Sequence, residues 1–259
     1  MGYIEELFNL KGKVAVVLGG TSGIGKAIAI GFAQAGANVV ASSRRLKLVS
    51  KTAKELKAIG GKTIALTCDV CDQQSLSVLC EKVVEELGSV DVLVVSSGVL
   101  FRSDSIEMPE DELVRIIDTN LNGTFRANQV IGRQMIQQGK GGSIVNISSI
   151  AGYRSILGLA PYSASKAAVS SLTATLACEW APSGVRVNGI APGPFKTDIN
   201  VELLKIPGRM KRVLGLIPMK RCGNLEEVVG VSLFLGSDAS SYVTGVTIPV
   251  DGGFLTTGI

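Results

Sequence analysis

The stretch Val14-Ala15-Val16-Val17-Leu18-Gly19-Gly20-Thr21-Ser22-Gly23-Ile24-Gly25 joins five consecutive apolar residues to a glycine-rich turn, and a helix-like run over 24–35 follows. A short, uninterrupted β-branched run suits a parallel strand covered on both faces. Glycines between such a strand and a helix let backbone N–H groups approach a phosphate at the helix N-terminus. The spacing is G-x3-G-x-G rather than G-x-G-x-x-G, so a plain tight turn and a pyrophosphate turn are both open on these residues alone. Gly19, Thr21, Ser22, Gly23, Ile24 and Gly25 are the candidate cofactor contacts.

The same alternation extends along the chain. Strand-like runs fall at Val14–Leu18, Val39–Ser43, Thr63–Thr67, Asp91–Val95, Ser143–Ile147, Val185–Ile190 and Val246–Val250. Helix-like segments lie between them, near 24–35, 46–58, 73–87, 110–138, 162–180 and 225–235. This pattern predicts an α/β protein: one doubly wound, Rossmann-like parallel sheet of about seven strands flanked by helices, spanning 1–259 as a single domain. The exception is 192–223, which carries Pro192, Pro194, Pro207, Pro218 and several basic residues where the carboxyl ends of the strands would face a ligand. A substrate lid and a surface excursion are the two readings of that segment.

Composition removes several function classes. The chain has 259 residues, 46% of them apolar and 19% charged, with a mean hydropathy of +0.36. Such a chain builds a large core. No run of 18 apolar residues marks a membrane span, and the opening Met1–Lys13 lacks the apolar core of a signal peptide. A cytoplasmic protein is expected. The net charge is +4, with Lys and Arg dispersed, which argues against a nucleic-acid partner. There is no histidine, which excludes Ser-His-Asp and Cys-His nucleophiles and most zinc sites. No metal is expected. Five cysteines without an export signal point to reduced thiols. Cys68 and Cys71 form a lone CxxC, read mainly as small buried residues and secondarily as a redox pair.

Other residues carry chemistry. The second strand ends Ser43-Arg44-Arg45, about twenty residues past the glycines, where an acid would select NAD and an arginine the 2′-phosphate of NADP. NADP(H) is therefore favoured over NAD(H). Asp69, after the third strand, is a candidate for the adenine amino group or a turn aspartate. Tyr162 and Lys166 stand four apart on one helix face, where an ammonium would stabilise phenolate and lower the tyrosine pKa. Ser148-Ser149 ends a strand thirteen residues earlier and would open onto the same sheet edge.

Taken together, the glycine turn, Asp69-Val70, Asn120, Ser149, Tyr162-x3-Lys166, Pro192-Gly193 and Thr197 resemble the short-chain dehydrogenase/reductase family over essentially the whole chain. The resemblance implies an NAD(P)-dependent oxidoreductase with a catalytic Asn120-Ser149-Tyr162-Lys166 tetrad. It also implies a homotetramer built through helices such as 110–138 and 162–180. Two departures stand out: Leu18 replaces the usual Thr, and Val95-Ser96-Ser97-Gly98 replaces Asn-Asn-Ala-Gly, with Ser97 and Gly98 kept as cofactor contacts. Leu7–Ala15 and Val250–Gly253 resemble the branch of gluconate 5-dehydrogenases and, less specifically, 3-oxoacyl carrier-protein reductases.

The expected reaction interconverts a ketone and a secondary alcohol, with Tyr162 as acid/base beside Ser149. The substrate is a sugar acid, a 3-oxoacyl thioester or a hydrophobic ketone. Arg102 and Arg154 are candidates to hold a carboxylate, within a wall of Val99, Leu100, Phe101, Ile150 and Tyr153. A catalytically silent nucleotide-binding protein is the alternative of another class.

Overall fold

The computed structural model of the protein describes residues 2–195 and 208–257. Six strands form one parallel sheet: β1 (Val14–Leu18), β2 (Asn38–Ser42), β3 (Val92–Val95), β4 (Gly142–Ile147), β5 (Val185–Pro192) and β6 (Thr247–Val250). Their order is β2-β1-β3-β4-β5-β6, with Val16 facing Val40 on one side and Leu93 on the other. The helices among the described residues are α1 (Tyr3–Leu7), α2 (Gly23–Gln34), α3 (Leu46–Ile59), α4 (Gln73–Leu87), α5 (Glu110–Ile117), α6 (Gly123–Gln137), α7 (Ala160–Trp180), α8 (Arg209–Leu216) and α9 (Glu227–Gly236). None is long and apolar enough to cross a membrane.

Side chains alternate across a strand, so each apolar run feeds two cores. Val14, Val16 and Leu18 pack with Leu76, Leu79 and Val83 of α4, Ile131 and Met135 of α6, and Leu176 of α7. Ala15 and Val17 pack with Ile28 and Phe32 of α2 and Val228 and Leu235 of α9 on the opposite face. Each large side chain so buried contributes about 1.5–3 kcal/mol. This double burial explains why the strands read as unbroken apolar runs.

Two expectations are corrected. The seventh strand, Thr63–Thr67, does not form. The segment runs beside β2, with Val39 N donating to Lys62 O (3.2 Å) and Cys68 N to Ser43 O (3.2 Å). Between those bonds the Ser42 hydroxyl donates to Leu66 O at 2.6 Å, so a side chain rather than a backbone N–H meets that carbonyl. The expected helix over 110–138 is divided by a wide π-turn at Asp118–Asn122, where Gly123 N reaches Asp118 O. Such turns re-aim side chains locally. Here the turn holds Asn120 fully buried.

Candidate active site

All the singled-out turns fall at the carboxyl edge of the sheet, the usual ligand edge of a doubly wound fold. After β1, Gly19 N donates to Ser42 O at 2.9 Å and Gly19 has φ +75°. A Cβ there would stand 2.7 Å from Ser97 N, and one on Gly25 would stand 2.3 Å from Gly19 O. Only glycine permits this closeness. The first bond across the turn into α2 is Lys26 N to Ser22 O (3.1 Å), and the Ser22 side chain makes no capping bond. The N–H groups of Gly23, Ile24 and Gly25 therefore have no intrahelical acceptor, and the positive end of the helix faces the turn. This donor set suits an anionic group.

The end of β2 is tied to that turn by the Thr21 hydroxyl, which donates to Ser43 Oγ at 2.9 Å. Arg44 and Arg45 are exposed and have no ion pair among the described residues. Asp69 shapes a turn, accepting from Cys71 N at 3.0 Å, while buried Val70 lies against Gly123. Cys68 and Cys71 are unoxidised. Burial pushes the Cys68 thiol up to about 11, and it raises Cys71 as well. Both therefore stay protonated thiols at neutral pH, the reverse of an activated redox pair.

The tetrad residues converge beyond β3 and β4. Ser149 follows β4 and Tyr162 lies in the first turn of α7, whose start is set by Pro161. The Ser149 hydroxyl accepts from Ala151 N at 3.1 Å and stands near enough to the Tyr162 phenol to favour its ionisation. One turn along, Lys166 is 4% exposed; its Nζ donates to Ile147 O at 2.8 Å and sits 5.8 Å from the Tyr162 ring centre. Burial lowers the lysine to about 8. The tyrosine moves the opposite way from the sequence expectation. Burial raises its phenol above 10, and the neighbouring Ser149 hydroxyl offsets only part of that.

Asn120 Oδ1 accepts from Val99 N (2.8 Å), and its Nδ2 donates to Val99 O (2.9 Å) and Ser165 Oγ (3.1 Å). Ser165 Oγ donates in turn to Tyr162 O at 2.7 Å. A Cβ on Gly98 would stand 3.5 Å from both Asn120 Oδ1 and Lys166 Nζ, so this glycine faces the tetrad directly.

The two arginines are placed differently. Arg102 donates from Nη1 to Leu157 O, and it lines a cavity of about 340 Å³ with Ser103, Asp104, Leu157 and Gly158. Arg154 turns to the C-terminal segment, donating from Nη1 to Phe254 O at 3.1 Å. The same Nη1 lies 3.4 Å from Thr257 Oγ1. Gly193 sits against Asp251, at the end of Pro192 in β5. Thr197 and residues 196–207 of the expected lid lie outside the described residues.

Several supporting contacts escaped the sequence reading. Ser148 Oγ donates to Lys166 O at 2.8 Å and meets Ser170 Oγ at 2.9 Å, fastening α7 to the end of β4. Buried Asn146 exchanges bonds with Asn128 of α6 and donates to Thr173 of α7 at 3.1 Å. Ser165, at i+3 from Tyr162, was visible by helical spacing. The asparagine network had no local signal, because its members are 18 and 27 residues apart.

The chain matches the family model described as Enoyl-(Acyl carrier protein) reductase over residues 19–255. It is 39% identical over 252 residues to the 2-dehydro-3-deoxy-D-gluconate 5-dehydrogenase of Dickeya dadantii, covering 97% of this chain and 99% of the relative. It is 40% identical over 247 residues to the 3-oxoacyl-(acyl-carrier-protein) reductase of Thermotoga maritima, covering 95% and 99%. Among solved structures it resembles a gluconate 5-dehydrogenase from Burkholderia cenocepacia in complex with NADP and tartrate. That match has TM-score 0.95 and 31% identity over 99% of this chain and 100% of the other.

Proposed function

The chain belongs to the short-chain dehydrogenase/reductase family, oxidoreductases that act on CH–OH groups with a nicotinamide cofactor, and on that premise we propose that it interconverts a ketone and a secondary alcohol with NADP(H). The observation that carries this reading is the placing of Lys166, buried with its Nζ 5.8 Å from the Tyr162 ring centre, beside Ser149 at the carboxyl edge of the sheet. When bound, the cofactor supplies or takes the hydride.

The chain's own residues do the rest. Tyr162 donates its phenolic proton to the carbonyl oxygen during reduction and takes it back during oxidation. Burial keeps that phenol protonated until needed, and Ser149 gives the oxygen a hydrogen bond as charge develops there. Lys166 stands ready as a cation for the ribose and for the phenolate. Asn120 fixes the strand-to-loop turn at Val99 and, through Ser165, the backbone of Tyr162.

The free N–H groups of Gly23, Ile24 and Gly25 would hold the diphosphate, with Gly19, Thr21 and Ser22 shaping that turn. Ser43, Arg44 and Arg45 would hold the 2′-phosphate; Asp69, Val70, Ser97, Gly98, Pro192, Gly193 and Thr197 complete the cofactor set by family resemblance. A sugar acid is the favoured substrate, with Arg102 as its carboxylate contact; a relative named for a deoxygluconate and a neighbour holding tartrate support it. A 3-oxoacyl thioester or hydrophobic ketone is the second reading, favoured by Leu157, which is 90% exposed beside Arg102. We further read the protein as a cytoplasmic homotetramer, with segment 192–223 as its substrate lid.

A panel of sugar-acid, 3-oxoacyl and neutral ketones, assayed with both cofactors by loss of NAD(P)H absorbance, tests this reading. Turnover of a keto acid with NADPH supports it. Tight NADPH binding without turnover of any ketone would establish a silent nucleotide-binding protein instead.

A further inference from the structure

The Arg154 side chain meets three parts of the chain that are far apart in sequence. Its Nη1 donates to Phe254 O at 3.1 Å and to Thr257 Oγ1 at 3.4 Å, and its guanidinium carbon lies 5.1 Å from the centre of the Phe254 ring. Thr257 Oγ1 is itself 3.0 Å from Leu216 O, the last carbonyl of α8, and 2.6 Å from Phe254 O. A hydroxyl carries one proton and two lone pairs, so Thr257 accepts from Arg154 while donating to one of these carbonyls.

Beneath this polar contact lies a small core of its own. Ile150, Ile217 and Phe254 are buried together, with Val213, Leu214 and Leu255 against them, apart from the two cores that cover the sheet. Ile150 immediately follows Ser149, and Ile217 immediately follows α8. The C-terminal turn is shaped in advance by Asp251, whose carboxylate accepts from Gly253 N and Leu255 N, both at 2.8 Å. Met219 N donates to Gly252 O at 3.2 Å, so both the end of α8 and the residues after it are seated on this turn.

We propose that Arg154 is a positioning residue, which latches α8 through residues 254–257 onto the turn that carries Ser149. The C-terminal segment is then the joint between the turn carrying Ser149 and the end of α8, and Arg154 is its pin. The inference rests on the reading of Ser149 and Tyr162 as the carbonyl site, and it goes beyond it by assigning Arg154 and residues 254–257 to holding the Ser149 turn rather than to substrate contact.

The test combines amide hydrogen exchange of the cofactor-free protein with kinetics on 5-ketogluconate and the neutral ketose L-sorbose under saturating NADPH. In Arg154→Ala, exchange over 209–219 should accelerate roughly ten- to a hundredfold, the loss expected for a hydrogen bond to a charged group, with the strand amides unchanged. KM should rise by a similar factor for whichever ketones are turned over, acidic or neutral, and KM for NADPH should stay put. Thr257→Val, which alters one terminal hydroxyl and leaves the fold intact, should give a smaller change of the same kind and add nothing to Arg154→Ala. Arg154→Lys should restore part of the loss. Unchanged exchange over 209–219 would overturn the proposal. So would a KM rise confined to the acidic ketone, which would make Arg154 a carboxylate contact. The exchange arm needs no substrate, so its failure counts against the latch alone; absence of turnover in the unmodified protein counts against the carbonyl-site reading alone.

Discussion

Lys166 Nζ donates to the carbonyl of Ile147 at 2.8 Å, anchoring the ammonium under the turn where β4 passes into Ser148 and Ser149. Burial lowers this lysine from 10.5 to about 8, so the folded protein gives up the proton before the unfolded chain does. Between those two values the unfolded state binds more protons, and stability should rise with pH. The shift corresponds to about 3 kcal/mol at full extent. Tyr162, raised above 10, acts with the opposite sign only at higher pH. Denaturant unfolding from pH 7 to 10 should therefore show the unmodified protein gaining on Lys166→Met. A constant difference between the two would mean the lysine titrates normally.

The cofactor prediction concerns the end of β2. Arg44 is exposed and without an ion pair among the described residues, and Ser43 stands where an acid would repel a phosphate. A charge-assisted bond contributes roughly 1.5–3 kcal/mol, so NADPH should be preferred to NADH by roughly ten- to a hundredfold in kcat/KM. The preference should shrink in high salt. Ser43→Asp with Arg44→Leu should reverse it, since the pair adds repulsion as well as removing attraction. An unmodified protein that works better with NADH would remove Arg44 from the phosphate site.

Much of this was legible in the sequence, for identifiable reasons. Strands buried on both faces must be apolar throughout, so β1, β3 and β4 could be read from Val14–Leu18, Asp91–Val95 and Ser143–Ile147 alone. Tyr162 and Lys166 share a helix face by spacing. What escaped were contacts made by long-range geometry. The Leu66 carbonyl meets the Ser42 side chain within the segment that runs beside β2 without joining the sheet, which no periodicity reveals. Arg154, five residues from Ser149, also bonds Phe254, 100 positions away, a contact that spacing does not show. The tyrosine shift was missed because spacing shows a neighbouring charge but not the burial that outweighs it.

Arg102 separates the substrate classes. Its guanidinium holds Leu157 O at the rim of a cavity also lined by Ser103, Asp104 and Gly158. Arg102→Ala should raise KM for 5-ketogluconate roughly tenfold or more above any effect on L-sorbose, as a charged hydrogen bond would. Equal effects on the two would favour a neutral substrate.

The asparagine network should matter for stability rather than chemistry. Asn146 is fully buried and bonded to Asn128 and Thr173. Asn146→Ala should cost about 1–3 kcal/mol for each partner left unpaired, measured by denaturant unfolding. A change within about 0.5 kcal/mol, typical of surface sites, would show that the cluster adds little.

The central claim is that Tyr162 is the general acid, poised by Ser149 and Lys166, and its most direct test is kcat of Tyr162→Phe with saturating NADPH, alongside NADPH affinity measured by fluorescence. The phenol is the only proton lost in this substitution, and the ring that packs beside Lys166 is kept. The account predicts a fall of roughly 10²–10⁴-fold in kcat, the range for general acid catalysis, with NADPH affinity nearly unchanged. A phenylalanine variant that keeps more than about a tenth of the original kcat would contradict it.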